Sequence, residues 1–168
     1  MLLLEKIRAI CKRIITTLRL KLSEKTAQGE FRYIKKPAKD AEFAVWLKYY
    51  MDVAGLSQNK LAQYARLNQS TVNKIAHGRC ERTSMDILVA IILVLQLSDR
   101  QAKDLISRIG RAFSPCDKRH QYYLKLIAIY HYRERTIHVD DETFLDDADK
   151  YLKKYGFDPL PGFEMSLS

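Results

Sequence analysis

Between Val53 and Cys80 the chain carries no acidic residue, and this gap is the most informative thing that its 168 residues lack. Lys60, Arg66, Lys74 and Arg79 fall inside the same window, so no opposite charge offsets them. A face of that kind suits a polyanion, whereas a merely soluble domain intersperses both signs. Other shortages exclude whole classes. Cysteine occurs only three times, at Cys11, Cys80 and Cys116, widely spaced and odd in number, which argues against a disulfide framework and fits a reducing cytoplasm. The pairs His77 with Cys80 and Cys116 with His120 lack the common zinc-finger spacings, and no metal or other cofactor is expected. No Gly-rich phosphate loop, no His/Cys/Asp constellation and no metal-spaced carboxylates occur, so the chain is not expected to be an enzyme. The acid-rich run Asp140–Asp149 near His138 reads instead as first-turn acids, Asp140, Asp141 and Glu142, followed by a solvated face of Asp146, Asp147 and Asp149. Long apolar runs are also missing. Even Ile87–Leu97 is too short to cross a bilayer and reads as a buried helix, so no membrane partner is expected. Residues 1–22 suggest an export signal only at first sight, because Glu5, Lys6, Arg8, Lys12 and Arg13 interrupt every apolar run.

What is present is a helical pattern with clear punctuation. A hydrophobic content of 47% is enough for a real core, and strand signals are nearly absent, so the fold class is all-α. Leu4, Ile7, Cys11, Ile14 and Leu18 recur at steps of three and four, which predicts an amphipathic helix over 1–22, read as docking on the domain behind it rather than as a coiled coil or a membrane-surface helix. Residues 23–40, with Gly29 and Pro37, read as a linker. A first helix over Ala41–Val53 stops before Gly55. Ser57 caps a second through Tyr64, Asn68 a third from Gln69 to Ala76 closed by Gly78, and Ser84 a fourth through Leu97. Ser98 with Gln101 makes a capping box for a fifth that ends near Ile109 and Gly110. Ser114 and Pro115 open a sixth through about Arg133, and Asp140 caps a last one ending at Gly156. Ala102, Leu105, Ile106, Ile109 and Gly110 match Ala148, Tyr151, Leu152, Tyr155 and Gly156 in spacing, either a duplicated helix pair or the chance periodicity of helices.

The charge is split between the halves. Residues 1–82 carry 17 Lys/Arg against 7 Asp/Glu, a balance of +10, and residues 83–168 carry 12 against 13, a balance of −1. Within the basic half, Gln58–His77 meets the demands of two short helices crossing at a fixed angle. Ala62 supplies a small contact residue, Leu61, Ala65 and Leu67 are apolar on the inner side, and Val72 and Ile75 anchor the third helix. The outward positions of that helix, Gln69, Ser70, Thr71, Asn73 and Lys74, are all polar or basic groups able to bond base edges or phosphates.

The segment LSQNKLAQYARLNQSTVNKIAHGR resembles the helix-turn-helix domain of the Cro and xenobiotic-response-element repressor family, and the resemblance extends over Phe43–Ile109. It implies a five-helix lambda-repressor-like domain at 41–110 that puts the helix starting at Gln69 into the major groove of double-stranded DNA. It also implies that Gln58 lies where the family places a phosphate-contacting glutamine and Gln69 where it places a base-contacting one. Ser70 and Lys74 then take further base-facing positions, with Thr71 and Asn73 beside them, and His77 and Arg79 sit where the following loop approaches the backbone. One departure is plain: the family's turn usually holds Gly, where this chain has Arg66. In a left-handed backbone Arg costs about 1 kcal/mol, although its cation could meet a phosphate.

The resemblance implies a transcriptional regulator that binds DNA as a homodimer, cytoplasmic and associated with the nucleoid. The alternative is an antitoxin or immunity-type regulator whose main work is binding a partner protein through the C-terminal helices. That region, 111–168, reads as a helical module separable from DNA contact, with Tyr122, Tyr123, Tyr130 and Tyr132 on one helix and Asp140–Asp149 on another as the candidate partner surface.

Overall fold

Side-chain caps set most element boundaries. The computed structural model describes residues 34–133 and 143–162; the helix expected over 1–22, most of the expected linker and the expected cap Asp140 lie outside them. The described residues form seven α-helices and no strand: α1 Phe43–Ala54, α2 Gln58–Tyr64, α3 Gln69–Ala76, α4 Met85–Val94, α5 Asp99–Ser107, α6 Lys118–Tyr132 and α7 Asp146–Lys154. Ser57 accepts from the Lys60 amide, Asn68 from Thr71 and Ser84 from Ile87, and Ser98 with Gln101 completes a reciprocal box. Each cap satisfies a donor that the helix leaves orphaned and contributes about 1 kcal/mol.

Two helix starts differ from the sequence expectation. α6 opens behind Asp117, whose carboxylate accepts from the amides of Arg119 and His120, rather than at Ser114 and Pro115. Those two residues fold back, and the Ser114 amide donates to His120 Nδ1 at 2.9 Å. α7 opens at Asp146, behind Leu145 and without a side-chain cap, because the chain first turns to bury Phe144 and Leu145. Asp146 and Asp147 then supply the acidic first turn that complements the helix dipole.

The core is centred on α4, which is apolar all round and buried from Leu88 through Val94. α6 and α2 pack on it, α3 packs on α2 and α1, and α5 packs on α1 and α6. Tyr123, Leu126, Ile127 and Tyr130 of α6, with Ala148 and Leu152 of α7, join the same cluster as Leu47, Leu61 and Val72. The described part of 111–168 therefore shares one core with 41–110. Polar ties reinforce it. Arg108 stacks on Trp46 at 4.7 Å and donates to the carbonyls of Ala41 and Lys39, holding the residues before α1 against α5. The Tyr130 hydroxyl donates to the Phe144 carbonyl at 3.0 Å and accepts from the Ala148 amide at 3.2 Å, joining α6 to the start of α7.

Candidate nucleic-acid interface

α3 buries Val72 and Ile75 and turns its remaining side outward. Gln69, Ser70, Asn73, Lys74, His77 and Arg79 are exposed, and Thr71 and Gln58 are half-buried, so all eight residues singled out in the sequence have access to solvent. Several are already oriented. The Asn68 carboxamide oxygen accepts from the Thr71 amide at 2.8 Å and from the Ser70 hydroxyl at 2.9 Å, which leaves the Ser70 oxygen as an outward acceptor. Gln69 Nε2 donates to Asn59 Oδ1 at 2.5 Å, so α2 holds the first side chain of α3 in place. Gln69 Oε1 and its second amide hydrogen lie outside that bond. His77 Nδ1 lies 2.8 Å from the Asn73 carbonyl, which can only accept, so Nδ1 carries the hydrogen and Nε2 of the neutral ring is an acceptor.

Beyond α3 a cleft of about 540 Å³ is lined by Thr71, Lys74, Arg79, Glu81, Arg82 and Thr83, among others. Arg111 braces this loop by donating to the carbonyls of Cys80, Glu81 and Thr83. Asn59 and Arg82 are the residues that sequence reasoning missed. Arg82 was legible as a second cation three places past Arg79; Asn59 was not, because its partner stands ten residues away in the next helix. Glu81, at the edge of the cleft, is the first acidic residue after the acid-free window.

Arg66 departs from expectation. Its φ of 53° is left-handed, as a turn position usually filled by Gly would be, but its cation does not reach outward. The Arg66 side chain is 7% exposed, and its guanidinium donates to Asp149 Oδ2 at 2.5 Å, with Asp146 at 3.5 Å. Asp149 is correspondingly not on a solvated face: it is 1% exposed and also accepts from the Leu160 amide at 2.7 Å.

Cys80 is buried, and burial, with Glu81 adding to it, pushes its thiol upward, which disfavours the thiolate that a metal requires. Among the described residues no group of three or more His, Cys, Asp or Glu could hold a metal ion, and no helix is long and apolar enough to cross a membrane. No protein-family model matches the chain, and no curated protein or solved structure matches it either.

Proposed function

We propose that the chain is a sequence-specific double-stranded DNA-binding regulator, with α1–α5 as a five-helix helix-turn-helix domain of the Cro and xenobiotic-response-element type and α3 entering the major groove. The observation that carries this reading is the outward face of α3: Gln69 and Ser70 are pre-oriented by Asn59 and Asn68, and no acidic side chain occurs between Val53 and Cys80. A glutamine amide can pair bidentately with adenine, Ser70 and Lys74 stand beside it as further base-facing groups, and Arg79 and Arg82 have the charge and reach for phosphates. One such helix reads only a few base pairs, so a homodimer on two half-sites about one helical turn apart supplies the needed specificity. The test compares two variants on a selected duplex and its single-base derivatives. Gln69→Ala is expected to relax preference at one base pair, losing about 1–3 kcal/mol there, and Arg79→Ala to weaken all duplexes alike. Identical behaviour of the two contradicts this assignment of contacts.

A second reading, in which the C-terminal helices bind a partner protein, is favoured by Ile129 and Tyr132, 53% and 84% exposed on the outer side of α6. The two readings are compatible in one chain, as in a regulator that binds both a protein and an operator.

A further inference from the structure

The turn between α2 and α3 decides where α3 points, and residues 144–162 grip that turn from three sides. The Arg66 side chain is held by Asp149, itself fixed through its other oxygen to the Leu160 amide. The Arg66 carbonyl abuts Gly162, where an added Cβ would stand 2.1 Å from that oxygen. Just before the turn, the Tyr64 ring meets the Phe144 ring edge-on at 5.6 Å. Immediately after it, the Leu67 amide donates to the Ala62 carbonyl at 2.9 Å, and Asn68 caps α3. A left-handed arginine is strained and persists only where its surroundings over-determine it, and here those surroundings are the C-terminal segment.

We infer that Asp149 is a positioning residue for α3: by holding Arg66 it fixes the direction in which the recognition helix leaves the turn, so the acidic C-terminal segment shapes DNA recognition without touching DNA. The inference rests on the DNA-binding reading for its functional consequence, but its structural half can be measured without DNA. Asp149→Asn keeps an oxygen for the Leu160 amide and removes the charge that holds Arg66. Gly162→Ala loosens the same turn by steric pressure and leaves every charge in place.

The experiment measures amide hydrogen exchange and duplex binding for the full-length wild type, D149N, G162A, R66G and R66G/D149N, below the melting temperature of each and per folded molecule. Both D149N and G162A are expected to speed exchange at Leu67 and in the first turn of α3 by about tenfold or more relative to α4. Both are also expected to lower affinity for a selected duplex by about tenfold, with a smaller loss on random duplex. The salt slope of binding should not change, because Arg66 contacts no phosphate. R66G/D149N should bind no worse than the weaker of its two single variants. Wild-type exchange at these amides together with wild-type base preference in D149N overturns the proposal and leaves Asp149 a purely structural partner. Tighter binding by D149N, with a salt slope steeper by about one, also overturns it, since Arg66 would then be a phosphate contact held in reserve. If the wild type binds no duplex, the DNA reading fails, and exchange at the α3 amides alone decides whether Asp149 positions the helix.

Discussion

At the scale of single residues, Asn68 carries more of the α3 geometry than any side chain that would face DNA. It caps the helix and accepts from Ser70, so Asn68→Ala is expected to cost about 1 kcal/mol in urea unfolding, and Asn68→Ser much less. Equal losses for the two would mean that capping is not what stabilises the turn. Tyr130 and Cys80 are two of the groups that make stability fall at alkaline pH, beside Tyr123 and Tyr50, whose phenols burial also pushes up. Burial pushes the Tyr130 phenol from 10.0 up to about 12, and burial also raises the Cys80 thiol above 9.0. The folded chain holds both protons more tightly than the unfolded chain does. Their contribution is therefore full below pH 9 and is lost as pH rises through the range 9 to about 12. The melting temperature should stay level to about pH 8.5 and then fall, and Tyr130→Phe should flatten the upper part of that fall. A Tyr130→Phe profile identical to wild type would show that the phenol contributes nothing there. The outward residues of α3 were legible in the sequence because helical periodicity sorts them from Val72 and Ile75. Arg66 and Asp149 were not, because their pairing spans 83 positions and no local pattern encodes it.

At the scale of elements, the sequence showed its stops wherever they use glycine, and it showed the starts of α2 to α5, where Ser57, Asn68, Ser84 and Ser98 cap the next amides. Gly55, Gly78 and Gly110 are all left-handed after helices, as their positions suggested. Arg66 and Gln96 occupy the same kind of position without being glycine, and both use the side chain to hold the C-terminal half. Gln96, with φ 52°, donates to the carbonyls of Tyr130 and Arg133 at 3.0 and 2.9 Å and so closes the last turn of α6. Gln96→Gly relieves about 1 kcal/mol of backbone cost and removes two bonds of roughly 1 kcal/mol each. A net loss of about 1 kcal/mol is expected, with faster amide exchange at the end of α6. A gain in stability instead would mean that the two bonds contribute nothing. The start of α7 was misplaced because the chain first turns to bury Phe144 and Leu145, a tertiary event, and that of α6 because Asp117 takes the cap while Ser114 folds back onto His120.

At the scale of the whole molecule, the charge asymmetry was legible and the packing was not. The sequence suggested a C-terminal module at 111–168 separable from DNA contact, and in the structure Tyr123, Leu126, Ile127 and Tyr130 of that region belong to the same core as α4. Each fully buried side chain of this size is worth about 2 kcal/mol, so four of them rival the net stability of an ordinary domain. A chain ending at Ile109 should lose cooperative unfolding and expose apolar surface that binds a hydrophobic dye; a truncated chain that melts like the full one contradicts the shared core. The most direct measurement of function is a selection of duplexes from a random pool with the full-length protein, followed by titration of the selected and scrambled sequences across a salt series. The DNA-binding proposal expects one enriched motif with two half-sites about one helical turn apart. It also expects affinity to fall by about three orders of magnitude between 50 and 200 mM salt, if the dimer contacts six or more phosphates. No enriched sequence, together with affinity that does not change with salt, would contradict it.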